Sequence, residues 1–286
     1  MSLNLDDRQR AMLDAMGVTV WWPQQAAVLV PVAAASNAID IEANKSIPVS
    51  QNAEIIEEKQ PATPHKTVLP VQVAASARPP RVDSALATQT WPELQASVSQ
   101  CQACSLCQTR KNTVFGVGQA TLDPDAPPQV DWLIVGEAPG ENEDLQGEPF
   151  VGQAGKLLDN MLRSLGLARH DRVYIANVLK CRPPGNRNPA PDEIAQCTPY
   201  LLRQIELLQP KIILAMGRFA INSLLAPTVP GVDNIPVGKL RGQVHRFGNT
   251  PVVVTYHPAY LLRNLPEKAK AWTDLCLAHE TVTTAG

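Results

Sequence analysis

The sequence has no apolar run long enough to cross a bilayer as a helix. The best candidate, Val18 to Ala35, is interrupted by Pro23, Gln24, Gln25 and Pro31, and a helical span needs roughly 20 largely unbroken apolar residues. The start of the chain, MSLNLDDRQR, is polar and acidic and lacks the layout of a secretory leader. Together these absences make a cytoplasmic protein the expectation. The 6 cysteines are then expected as reduced thiols or metal ligands, not disulfides. No sign of charge dominates either: the net charge is −2, with −3 on residues 1–95 and +1 on residues 96–286. A balanced total does not exclude nucleic acid, because local clustering of cations is what binds it. Aromatic residues are scarce, with only 4 phenylalanines in the chain, so most of these should be core. A P-loop is missing as well. The glycine-punctuated loop after Val135 has neither the lysine nor the spacing that cradles phosphate, and its carboxylates would repel one.

What is present divides into three stretches, over 286 residues that suffice for one substantial domain and an appendage. Residues 1–32 read as a tail, with a short helix from Asp6 to Met16 ended by Gly17 and then an extended VTVWWP. Such a tail either folds back on the main domain, which is the expectation, or offers Trp21 and Trp22 to a protein partner. Residues 33–90 are rich in Ala, Pro, Ser, Gln and Val without a lasting period, and read as a disordered linker. Residues 91–286 read as the globular domain, entered through a helical Trp91–Val98. Four apolar runs in it read as strands: Val130–Val135, Val173–Asn177, Ile212–Ala215 and Val252–Thr255. Helical segments follow at Gly155–Leu165, Asp192–Leu208, Phe219–Leu225 and from Ala259 onward. This alternation predicts an α/β fold, a central parallel four-stranded sheet flanked by helices and preceded by the disordered extension.

In such sheets ligands sit at the carboxyl ends of the strands. The segments there are GEAPG, Asn177, Met216-Gly217-Arg218 and Tyr256-His257-Pro258, and they are predicted to converge in one cleft. The first loop also carries Glu137, Glu141, Glu143, Asp144 and Glu148, read as catalytic or substrate-shaping groups. Cysteines cluster just before the sheet, at Cys101, Cys104 and Cys107, and again at Cys181 and Cys197, while Cys276 stands alone. Their number suggests a four-thiolate site. Zinc usually shows a second close pair, whereas an iron–sulfur cluster tolerates dispersed ligands. On spacing alone, Cys104 and Cys107 serve as well as Cys101 and Cys104.

The blocks CQAC, VGEAPGENED, GEPFVGQAGKLLD, NVLKCRPPGNRNPAPDEIAQC and HPAYLLR, in this order over about residues 97–275, resemble the family 4 uracil-DNA glycosylases. This is the bacterial and archaeal type with a 4Fe-4S cluster. The resemblance implies the uracil-DNA glycosylase-like fold and uracil-containing DNA, single- or double-stranded, as the substrate. It implies Cys101, Cys104, Cys181 and Cys197 as cluster ligands, with Cys107 a neighbour and Cys276 core. A structural cluster is expected, since hydrolysis moves no electrons. A monomer is expected.

The chemistry then falls on named residues. An everted base is read at its Watson–Crick edge. Uracil offers a donor at N3 and an acceptor at O4, which one asparagine amide answers, and Asn177 is the residue expected to do it. Phe150 is similar to the family's stacking aromatic. His257 is expected to donate to O2 as negative charge develops there, for which a neutral imidazole suffices. Glu137 is the first choice to hold the attacking water, ahead of Glu143, which is expected to shape the pocket near uracil C5. The backbone of Ala138 and Pro139 is expected to line the base; at the place of Ala138 the family 1 enzymes carry an aspartate. DNA contacts are expected from Lys180, Arg182 and Arg187, and from Lys239, Arg241 and Arg246. Leu261, Leu262 and Arg263 are similar to the segment that wedges into the duplex. Two other readings compete: a uracil-DNA binder that stays cross-linked, and a non-catalytic iron–sulfur partner of a polymerase. The first lacks its Arg- and His-rich insertion here, and the intact Glu137, Asn177 and His257 argue against the second.

Overall fold

A computed structural model describes residues 11, 12, 16, 86–118 and 130–284. Residues 33–85 of the expected linker, Trp21, Trp22 and most of the expected N-terminal helix lie outside the described residues. Residues 86–90, also expected as linker, are ordered: the Gln89 carbonyl accepts from Arg203 and Thr90 begins the first helix of the domain. Of the expected N-terminal helix, Met12 and Met16 are buried in the core, and the Lys268 ammonium donates to the Met16 carbonyl at 3.0 Å.

Among the described residues, six strands form one mixed sheet: β1 (Val117–Gly118), β2 (Trp132–Gly136), β3 (Val173–Asn177), β4 (Ile212–Met216), β5 (Val244–Phe247) and β6 (Thr250–Thr255), in the order β1-β3-β2-β4-β6-β5. The central four are parallel and are the four predicted strands. β2, β3 and β4 are buried along their whole length, as expected of apolar runs covered on both faces. Side chains alternate between two cores. Trp132 and Ile134 join Leu158, Met161 and Leu275 on one side. Leu133 and Val135 join Leu201, Ile205, Ile221 and Leu224 on the other.

The sheet also has two antiparallel edge strands that the sequence reading missed. β1 is two residues long, too short for any period to show. β5 pairs with β6 through the two-residue turn Gly248-Asn249, with Gly248 at φ 57°. Its sequence, VHRF, has one buried residue and lies in the expected cationic cluster, so no apolar run marks it as a strand.

The helices are α1 (Trp91–Ser99), α2 (Glu141–Gln146), α3 (Gln153–Ser164), α4 (Pro191–Leu208), α5 (Arg218–Leu225), α6 (Val237–Leu240), α7 (Pro258–Arg263) and α8 (Lys268–Thr284). Trp91 anchors α1 edge-on to Phe115 and Tyr174, at 5.1 and 5.2 Å between ring centres, and so fixes where the CxxC begins. α2 interrupts the acidic stretch that was read as loop. A short polar helix has no apolar stripe to betray it. Its signals are a glutamate at the third helical position, whose carboxylate accepts from the Gly140 amide at 3.1 Å, and Gly147 at φ 77° closing the last turn.

Candidate active site

A cleft of about 740 Å³ opens at the carboxyl ends of β2, β3, β4 and β6. Glu137, Ala138, Pro139, Glu143, Phe150, Asn177 and His257 all line it, together with Arg218, Tyr256, Tyr260 and Arg263. Four segments far apart in sequence therefore meet as the strand order required.

Register sets the floor. Gly136 is the cross-strand partner of Asn177, and the pairing continues past the strand ends, with the Val178 and Leu179 amides donating to the Gly136 and Glu137 carbonyls. A Cβ on Gly136 would stand 2.4 Å from Asn177 Oδ1 and 2.5 Å from Phe150 Cζ. The amide and the aromatic ring thus share a space that only glycine leaves open. Asn177 is buried, yet its Oδ1 has no hydrogen-bond partner among the described residues. Such an orphan costs folding free energy, so it points to a donor that arrives with a ligand. The Lys180 ammonium holds the Asn177 carbonyl at 2.8 Å and Gln204 Oε1 at 2.6 Å, fixing the strand end from behind.

His257 caps α7, and its Nδ1 accepts from the Ala259 amide at 3.2 Å. A neutral ring that accepts at Nδ1 carries its proton on Nε2. Burial, helped by the nearby Arg263 and opposed by Glu143, lowers the imidazole pKa to about 4. The ring is therefore a neutral donor at physiological pH. It lies 5.4 Å from the Phe150 ring, tilted by 31°. Glu137 has its pKa raised by burial, against an opposing pull from Arg218. Glu143 is differently placed: its oxygens accept from the Gly140, Val151 and Gly152 amides, so the carboxylate is occupied holding the loop.

The residues expected on DNA do not stay together. Arg263 is exposed and lines the cleft, and Leu262 is exposed on the same helix. Leu261 is fully buried in the core and is not available to enter a duplex. Lys180 is buried too and faces inward, which removes it from the surface cations. Arg187 lines the cleft but makes a two-pronged pair with Glu193 at 2.6 and 2.9 Å. Arg182 bonds Asn186 at 2.7 Å and lies 3.6 Å from Glu141. Arg241 is spent on buried Asp274 at 3.0 Å, over the Tyr256 ring. Lys239 is exposed on α6, outside the cleft lining, and Arg246 lies on β5. Conversely, Arg218 lines the cleft, although the sequence offers it only as part of a loop. Its signal was a cation placed where a strand turns into a helix.

Behind the Glu137–Pro139 loop, Cys101, Cys104, Cys107, Cys181 and Cys197 line one small pocket with Arg110 and Lys180. Ala138 packs against this group as well as lining the cleft. Burial pushes the Cys197 thiol up to about 12. Among the described residues, no three His, Cys, Asp or Glu side chains are grouped so as to hold a single metal ion.

The model of the uracil DNA glycosylase superfamily matches residues 124–277. A Type-4 uracil-DNA glycosylase of Archaeoglobus fulgidus is 42% identical over 174 residues, covering 59% of this chain and 82% of the relative. One of Thermotoga maritima is 45% identical over 168 residues, covering 58% and 80%. A Type-5 uracil-DNA glycosylase of Pyrobaculum aerophilum is more distant, at 29% over 146 residues, covering 45% and 61%. This chain belongs to the uracil-DNA glycosylase superfamily, in its type-4 family. No described helix is long and apolar enough to cross a membrane.

Proposed function

We propose that this protein removes uracil from DNA, leaving an abasic site for base excision repair, and that residues 91–286 carry the reaction. The observation that carries the reading is the buried, unpartnered Asn177 Oδ1 on the floor of the cleft. An everted uracil supplies the missing donor at N3, and its O4 receives the Asn177 amide protons. Cytosine presents the reverse pattern and would leave both sides unpaired, a mismatch that such sites reject by roughly 10⁴-fold. Phe150 offers its ring for stacking. As the bond between the sugar carbon C1′ and uracil N1 breaks, its electrons go to the base and charge gathers on O2. His257 donates from Nε2 to that oxygen. Glu137 orients a water toward the cationic sugar carbon and takes up its proton as the new C–O bond forms. Arg263 lines the cleft and the exposed Leu262 is its neighbour on α7, and a DNA strand would run past them.

Cys101, Cys104, Cys181 and Cys197 fit as ligands of a 4Fe-4S cluster, with Cys107 beside it. The convergence of these thiols on one pocket supports the cluster reading. Bound there, the group would tie Cys101 and Cys104, after α1, to Cys181 in the loop after β3 and to Cys197 on α4. The chain already joins these regions through the Val114 amide, which donates to the Lys180 carbonyl at 2.8 Å, and Asp144 makes a further tie from the same segment to α2. The Asp144 carboxylate accepts from the Lys111 and Asn112 amides at 2.9 and 3.3 Å.

The deciding assay is a uracil-containing oligonucleotide, single- and double-stranded. Alkali-labile sites are expected at uracil, with thymine and cytosine controls intact. No cleavage at enzyme excess would reject the reading. Purified protein is expected to be brown, with about four irons and matching acid-labile sulfide per chain. Stoichiometric zinc in their place would overturn the ligand assignment without touching the activity.

A further inference from the structure

Phe150 holds a backbone conformation that aromatic residues avoid, with φ at 56°. Such strain persists only where the surroundings over-determine it. Here they do so with one cation and one anion. The Arg169 guanidinium donates from Nη1 to the Pro149 carbonyl at 2.9 Å and from Nη2 to the Phe150 carbonyl, while its Nε donates to Asp159 at 2.5 Å. On the N–H side of the Phe150–Val151 peptide and on the peptide after it, Glu143 Oε1 accepts from the Val151 and Gly152 amides at 2.9 and 3.0 Å. Below, Gly155 leaves room for the Phe150 carbonyl, which a Cβ there would meet at 1.7 Å.

The geometry points to Arg169 as a positioning residue that holds the Phe150 ring as the platform for the base, in opposition to Glu143. Its partners are two consecutive carbonyls, and a planar guanidinium spans them where a single ammonium reaches only one at full strength. Asp159, on α3, orients the fork from the far side. Arg169 itself does not line the cleft. It acts through the peptide it grips, so its loss changes how the ring lies and not what the pocket contains. Released, Phe150 relaxes toward negative φ, and the ring leaves the space it shares with Asn177 over Gly136.

This inference rests on the uracil reading of the cleft, and three variants separate the two. In Arg169→Ala, kcat/KM for uracil-DNA is expected to fall about 10- to 100-fold, an order expected when a reacting group is misplaced by about an ångström. The inhibition constant of free uracil, which depends on the stacking platform and not on the DNA backbone, should rise in parallel. Affinity for an undamaged oligonucleotide should stay put, and added guanidinium should restore part of the rate. Arg169→Lys, which keeps the charge, should fall between Arg169→Ala and the wild type with an unchanged melting temperature, and it decides the matter if the alanine variant does not fold. Phe150→Ala should make the further loss of Arg169 nearly silent. Wild-type kcat/KM and uracil inhibition in both Arg169 variants would overturn the assignment. So would a crystal structure of Arg169→Lys with excision impaired but the Phe150 backbone unmoved. Wild-type protein inert on uracil would instead reject the uracil reading, while that same structure would still report on the clamp.

Discussion

Asn177→Ala is expected to lose uracil excision by on the order of 10²–10³-fold or more, while the protein melts within a few degrees of the wild type. The two halves of this result come from one observation. Asn177 Oδ1 is buried without a partner, so the folded protein already bears an unmet acceptor there. Deleting the amide removes that penalty and offsets the small void it leaves. In the transition state the same amide grips N3–H and O4 as charge spreads over the ring, and loss of one such oriented group typically costs about 2.7–4 kcal/mol. Asn177→Asp supplies a control of nearly equal shape. An aspartate there has no amide proton to give O4, and its ionised form would repel that oxygen, so it should be about as inactive as the alanine variant. Single-turnover cleavage and thermal melting on the same preparations check both halves. A drop of more than about 10 °C without a matching loss of excision would make Asn177 a structural residue and remove it from base recognition.

The parallel strands and their helices were legible because each is an unbroken apolar run or an amphipathic stripe. Placement of Glu137, Asn177 and His257 followed from topology: parallel strands send all their carboxyl ends to one edge. What escaped was decided by burial and by distant partners. Nothing local marks Lys180 as an inward-facing lysine, and it was read as a surface cation. Only the fold shows that Gln204 and the Asn177 carbonyl are there to receive it. Arg241 misled for the same reason, since buried Asp274 lies 33 residues away. Leu261 and Leu262 are neighbours in a segment read as one wedge, but consecutive helix positions face different ways, and α7 buries the first and exposes the second. Glu143 drew attention as a second carboxylate, whereas its amide partners appear only once Val151 and Gly152 curl back on α2. Arg169, in an unpatterned loop, carried no signal at all.

Excision should lose rate on the acid side through Glu137, and Arg218 should set where. The working form is the carboxylate, which is lost as pH falls through its pKa. Burial raises that pKa and Arg218 opposes the rise. Removing the cation in Arg218→Ala leaves the burial contribution less opposed, so the acid limb of kcat/KM should move to higher pH. Glu137→Gln should abolish that limb along with most of the rate, by about 10²-fold or more for a group that opposes a developing cation. His257 contributes no limb near neutrality, because its pKa is depressed to about 4 and the ring is already neutral across the working range. Were the imidazolium the required donor, kcat/KM would fall as pH rose through the ordinary histidine range, and the basic side of the profile would show it. A pH–rate series on wild type, Arg218→Ala and Glu137→Gln, at fixed ionic strength so that phosphate binding does not drift, therefore tests two groups at once. An acid limb unmoved by the loss of Arg218 would place the essential ionisation elsewhere than Glu137. A basic limb near pH 6–7 that vanishes in His257→Gln would show the imidazolium, not the neutral ring, to be the form that acts.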